Sequence, residues 1–147
     1  MYRNKYLVFR AGYRYQASLT NANSASENRG ILELTPRHML PWQLVISDRN
    51  RGEFRFIQGQ PFSTRYRNRL RLERDVRYGW FNCTPYAYDE SFYDTRYDQW
   101  TRNQYALGTQ FPVGIHVILE PYYLQQNGSH SIPAHINAFG FKLNLYF

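Results

Sequence analysis

The residue types best suited to covalent chemistry stand together near the C-terminal end: Ser129-His130-Ser131, followed by His135. A hydroxyl nucleophile needs a base within hydrogen-bond reach and a third group to orient that base. Adjacent residues of an extended chain point to opposite faces, so neither serine pairs readily with His130. The segment reads better as a polar loop than as a catalytic centre. His116 and Glu120 stand four apart, with His38 as a third candidate ligand. No recognised metal-ligand spacing joins them, and a hydrogen-bond network on one strand face explains them better. Cys83 is the lone cysteine, which excludes an internal disulfide and a cysteine-based zinc cluster. There is no Gly-rich phosphate loop, and no cofactor or metal is expected.

The strongest charge feature is a row of arginines, Arg65, Arg67, Arg69 and Arg71, at every second position. An exposed row of this kind suits a polyanion, with nearby aromatics stacking bases. Tyr66 lies on the opposite strand face, so stacking and phosphate contacts would not share one surface, and nucleic acid is not expected as a partner. Residues 1–77 carry 15 basic and six acidic side chains, and residues 78–147 three and five. Such a split suits either an anionic partner or ion pairs between the two halves. Strand parity favours ion pairs.

The elements that must position these residues are strands. Phe139, Phe141, Leu143, Leu145 and Phe147 alternate with Gly140, Lys142, Asn144 and Tyr146. This is the period of an extended chain with one apolar face. Residues 13–19, 62–72 and 113–119 repeat the pattern. Turn signals fall at Asn21–Gly30, Met39–Trp42, Gly59–Pro61, Val76–Gly79, Phe111–Gly114 and Asn127–Pro133. Tyr93, Tyr97 and Trp100 have helical spacing, but a strand-and-loop rim suits their composition better. The predicted strands are 2–19, 29–38, 42–58, 62–74, 80–92, 101–110, 114–126 and 134–147. Tight connections near 39–42, 75–79 and 111–114 alternate with longer ones near 20–29, 93–100 and 127–133, and the short 59–61 turn breaks the alternation. About eight strands of roughly 18 residues each, connection included, fill the chain as one domain over 1–147.

Period two fits two architectures. A soluble β-sandwich or jelly roll turns the apolar row inward; a small membrane barrel turns it toward lipid and fills its interior with polar groups. Two features favour the barrel. Aromatics cluster near predicted strand ends: Tyr2, Tyr6, Trp42, Trp80, Tyr86, Tyr88, Trp100, Tyr122 and Tyr123. Carboxylates lie in or beside the predicted strands to pair an inward arginine row: Glu33, Glu53, Glu73, Asp89, Glu90 and Glu120. The expected interior network is Arg65, Arg67, Arg69 and Arg71 with Glu53, Glu73 and Glu120. The expected lipid-facing strand is Phe139, Phe141, Leu143, Leu145 and Phe147. Asp48, Asn50 and Gly52 share parity with Ile46 and Phe54, which predicts a bulge or a turn there.

Several stretches in order resemble an uncharacterised family of bacterial outer-membrane β-barrel proteins, defined only as a domain of unknown function. They are Asp48–Phe56, Arg65–Arg74, Pro85–Tyr93, Leu119–Asn127 and the closing Phe141-Lys-Leu-Asn-Leu-Tyr-Phe147. The resemblance covers roughly 45–147 and is weaker before that. It implies an antiparallel up-and-down transmembrane barrel in the outer membrane of a Gram-negative bacterium, lacking here a signal peptide and further N-terminal strands. It also implies that the terminal aromatic addresses the barrel-assembly machinery, with outer-membrane lipids as the other partner. No catalytic residues are carried over. The expected function is a monomeric barrel with a charge-paired, plugged interior and a structural or lipid-contacting role. The rival expectations are a soluble self-assembling subunit of the virion type and an outer-membrane lipid hydrolase or acyltransferase using the His130 region.

Overall fold

The computed structural model describes residues 2–3, 6–17, 26–79, 81–129 and 133–146. Phe147, Trp80, His130 and Ser131, all singled out above, lie outside the described residues, as does the side chain of Tyr2. The strands are β1 (Tyr2–Arg3), β2 (Leu7–Ala17), β3 (Ser26–Met39), β4 (Leu44–Ile57), β5 (Ser63–Arg74), β6 (Val76–Tyr78), β7 (Phe81–Asp94), β8 (Gln99–Val113), β9 (Val117–Gly128) and β10 (His135–Leu145). Eight are long, as the period-two runs predict, and a single 3-10 turn at Pro41–Gln43 joins β3 to β4.

All strands join one antiparallel sheet in the order β1-β2-β3-β4-β5-β7-β8-β9-β10, with β6 paired to β7. The sheet curls into an open half-barrel. This is a meander in a single sheet. The sandwich alternative requires two facing sheets with Greek-key crossovers, and that topology is not what the chain adopts. No helix forms around Tyr93–Trp100: β7 runs to Asp94, a turn covers 95–98, and β8 begins at Gln99. The predicted long loop there is thus a tight turn. Tyr93 stacks edge-on against Trp100 across it, and the register slips by one residue between Phe92 and Tyr93.

β4 runs unbroken from Leu44 to Ile57, paired from Asp48↔Leu70 through Gly52↔Tyr66 without a register shift. The bulge or turn expected at 48–52 does not occur. Asp48 and Asn50 stay on the apolar face because hydrogen bonds from that face satisfy them. Asn68 Nδ2 donates to Asp48 Oδ1 at 2.5 Å, and Asn50 Nδ2 to Asp48 Oδ2 at 3.1 Å.

One face of the sheet is mainly apolar and exposed, and the other is charged and largely buried. Among the described residues the buried apolar side chains are Val8, Tyr86, Phe92 and Ala106. The largest fully buried side chains of any kind are the carboxylates Glu53, Glu90 and Asp94. On the convex face Phe139, Phe141, Leu143 and Leu145 stand exposed, Phe139 at 89%. The charged face gains what burial it has from the curl of the sheet, which brings Gln110 of β8 to the same cavity as Arg49 and Arg69.

Candidate functional site

Residues at odd positions of β3, β4 and β5 project from the concave face, so alternation alone aligns Glu27, Arg29 and Glu33 with Arg49, Arg51, Glu53 and Arg55, and these with Arg65, Arg67, Arg69 and Arg71. β7 adds Glu90 and Asp94 by its register with β5, Arg69↔Glu90 and Arg65↔Asp94. Buried carboxylates cost several kcal/mol each unless paired, and here each gathers several guanidinium donors. Glu90 accepts from Arg49 at 2.5 Å, from Arg67 at 2.9 Å and from Arg69 at 2.5 Å. Glu53 takes Arg29 at 3.1 Å and Arg67 at 3.2 Å. Asp94 takes Arg65 at 2.8 Å and Arg55 at 3.2 Å, and also accepts the Arg96 backbone N–H. Glu73 holds Arg37 at 2.6 Å and Arg71 at 2.8 Å.

Aromatic rings of β7 floor this network. Arg67 lies over Phe92 at 4.5 Å, Arg69 over Tyr88 at 4.0 Å and Arg71 over Tyr86 at 4.0 Å. Contacts of this kind are worth about 0.5–1 kcal/mol when exposed and about 2 kcal/mol or more when desolvated. Tyr86, Tyr88 and Tyr122 therefore do not join a rim girdle, contrary to their position near predicted strand ends; even parity on β7 and β9 turns them inward. Tyr6, Trp42 and Trp100 do stand exposed near strand ends, while Tyr123 is half-buried on the convex face.

The structure places Arg65, Arg67, Arg69 and Glu53 in one network, and Arg71 and Glu73 beside it in a smaller group with Arg37. Glu120 faces the same way but forms a separate cluster. It accepts from Tyr86 Oη at 2.6 Å, Gln110 at 3.0 Å and Lys142 at 3.1 Å. Four strand registers part it from β4, which explains why no arginine reaches it. Asp89, offered above as an interior carboxylate, sits on the convex face and accepts from Asn103 at 2.8 Å. Sequence reasoning missed Arg29, Arg49, Arg51 and Arg55 as network members. For the three on β4 the signal was the run Arg49-x-Arg51-x-Glu53-x-Arg55, obscured by the bulge or turn expected over 48–52.

The other candidates do not assemble. His116 lies in the β8–β9 turn with Nδ1 2.8 Å from the Tyr146 carbonyl. Glu120 is inward and His38 exposed. Among the described residues no three His, Cys, Asp or Glu side chains are grouped to hold a metal ion. Ser129 is exposed, its hydroxyl 3.3 Å from the Thr101 carbonyl, and His135 pairs with Asn127.

These observations define a class: a single-sheet antiparallel half-barrel with an apolar convex face and an ion-paired concave one. The chain belongs to a family described as "Protein of unknown function (DUF2490)", which matches residues 1–137. The match thus extends through the N-terminal strands, where the motif resemblance was weak, and stops before the last residues of β10. No curated protein and no solved structure matches the chain.

Proposed function

We propose that this chain is a small outer-membrane β-barrel protein with a charge-paired, plugged interior and a structural or lipid-contacting role. The observation that carries the reading is the inversion of faces: large apolar side chains outward, paired charges inward. In water this arrangement wastes the apolar surface; in a bilayer it is the low-energy one.

The slant of the apolar belt gives quantitative support. The apolar or aromatic run of β2 centres on Gly12, which pairs with Ile31 and so aligns with Glu53 of β4. The run of β10 centres on Lys142, which pairs with Glu120. Carried through β9 and β8 that row reaches Thr84 of β7, and extending the β7–β5 and β5–β4 registers beyond their last pairs continues it to the level of Gln43, just before β4. The belt drifts ten residues (53 − 43) over seven inter-strand steps. At about 3.3 Å per residue and about 4.8 Å per step, a horizontal belt requires strands tilted by about 44°. Transmembrane barrels tilt by about 35–45°.

On this reading lipid and the barrel-assembly machinery are the partners, and an eight-stranded interior filled by guanidinium groups leaves no open pore. The test is electrophoresis after refolding into detergent. An unboiled sample migrating differently from a boiled one is expected. Identical migration, together with a monodisperse protein in plain buffer, would overturn the proposal.

A further inference from the structure

Among the cavities of the concave face, one is out of charge balance. It measures about 300 Å³ and lies against β2, β3, β4 and β5. Arg10, Arg37, Arg49, Arg69 and Arg71 line it, with Glu73 as the one carboxylate in its wall. Behind the wall, Glu33 and Glu90 also take part: Arg10 reaches Glu33 at 2.8 Å, and Arg49 and Arg69 share Glu90. Five guanidinium groups thus face three carboxylates. Every guanidinium carries five N–H donors in a planar fork. Arg10 spends one nitrogen on Glu33 and Arg37 one on Glu73. Among the described residues, Arg10 and Arg37 make no further side-chain ion pair, which leaves most of their donors turned to the cavity or to solvent.

Two neutral features point the same way. In register, Ser47 stands between Arg37 and Arg71, and Thr35 beside Arg49. Both hydroxyl residues line the cavity. The Thr35 hydroxyl is buried without a hydrogen-bond partner, and so is Arg49 Nε, 3.9 Å from the nearest carboxylate oxygen. A buried donor left unmade costs about 1–3 kcal/mol, and buried polar groups are seldom left so.

We infer that this cavity binds a phosphate-type oxyanion. Tetrahedral oxygens accept several charge-assisted bonds at once, and arginine forks match that geometry. The anion brings negative charge to a wall that has a surplus of two cations, and a small rotation turns the Thr35 hydroxyl toward it. The cavity has room for a phosphate group and not for an acyl chain, so the ligand is either free phosphate or a phosphate carried on a headgroup at the cavity mouth. The inference rests on side-chain geometry and does not require membrane insertion.

The test is thermal unfolding and calorimetric titration of the refolded full chain with inorganic phosphate, against chloride at equal ionic strength. A parallel arm uses detergent micelles doped with phosphatidic acid. Saturable stabilisation by phosphate in the first arm identifies free phosphate; stabilisation confined to the second identifies the headgroup. Either binding should weaken about tenfold in Arg71→Gln. Thr35→Val keeps every charge and every ion pair, so it serves if Arg71→Gln does not fold; it should weaken binding about threefold. Arg14→Gln removes a charge from the same face outside the cavity and should leave binding unchanged. The inference is overturned if neither phosphate source acts beyond chloride, or if Thr35→Val and Arg71→Gln bind as the parent does, or if Arg14→Gln weakens binding equally.

Discussion

Glu90 and Asp89 are neighbours in β7 that face opposite ways, and neutralising each in turn gives a sharp test of the charge network. Glu90 is fully buried and holds Arg49, Arg67 and Arg69. Glu90→Gln keeps the shape but removes the charge. Arg67 retains Glu53 at 3.2 Å and Arg49 the more distant Glu33 at 3.9 Å. Among the described residues Arg69 is left with the Tyr88 ring, 4.0 Å away. Removing one partner of a buried pair costs about 3–5 kcal/mol. Asp89 is exposed and has Asn103 as its partner at 2.8 Å; Asp89→Asn should cost about 1 kcal/mol or less. With a urea slope of about 2 kcal/mol per molar, Glu90→Gln should lower the midpoint by about 2 M and Asp89→Asn by less than about 0.5 M. Glu90→Gln with Arg69→Gln should recover part of the loss, a coupling of about 1–2 kcal/mol. The assay is equilibrium urea unfolding in detergent or lipid, followed by tryptophan fluorescence. Equal midpoints for Glu90→Gln and Asp89→Asn would refute the argument that buried pairing holds the concave face.

Leu143→Arg places a charge on the exposed convex row and should cost about 2–4 kcal/mol when the protein is folded into lipid, whereas Asn144→Arg on the concave side should fold; normal folding of Leu143→Arg in vesicles would reverse the face assignment. A Cβ at Gly140 would lie 2.2 Å from the Tyr122 ring, so Gly140→Ala should cost about 1–3 kcal/mol. Gly52→Ala, with open space around it, serves as its control in the same urea series and should change little. One more inter-strand step of the slanted belt would set Leu143 of β10 beside Ala11 or Tyr13 of β2. In a Cys83→Ser background, Leu143→Cys should crosslink with Ala11→Cys or Tyr13→Cys within one chain. A covalent dimer on gels would instead show the seam to be between two copies, and no crosslink would mean that the edges stay apart.

Period two made the long strands readable. The run Tyr13 to Leu19 and the run Phe139 to Phe147 each announce one apolar face, and Pro and Gly clusters mark most of the connections. What could not be read was lateral register. Nothing along β7 says that Glu90 lies opposite Arg69, because that follows from the strand-to-strand offset set by the connection through β6. The split of Glu120 from the arginines has the same origin: its parity was visible, its distance across four strands was not. Tyr93, Tyr97 and Trp100 carry helical spacing, which a tight turn closing two strands also produces; the strand-and-loop reading preferred for them agrees with the structure, and only the loop is shorter than expected.

The Asp48 island joins these points. Its residues form a patch across three strands and the next: Asp48 and Asn50 on β4, Asn68 and Tyr66 on β5, then Asp89 and Ser91 on β7 with Asn103 on β8. The Tyr66 hydroxyl donates to Asn50, and Asn103 donates to both Asp89 and Ser91. Leu44 and Ile46 flank the island on one side along β4, and Phe54 and Phe56 on the other. Single-strand parity condemns Asp48 as misplaced; sheet register supplies its donors. Both faces therefore share one tendency, in which most polar groups are placed where a neighbouring strand can satisfy them, Thr35 Oγ1 and Asn103 Oδ1 being exceptions. The concave face meets it with ion pairs and the convex island with amides and hydroxyls around the carboxylates of Asp48 and Asp89. The island gains enough internal pairing to sit within an apolar belt, so β4 needs no bulge to hide it.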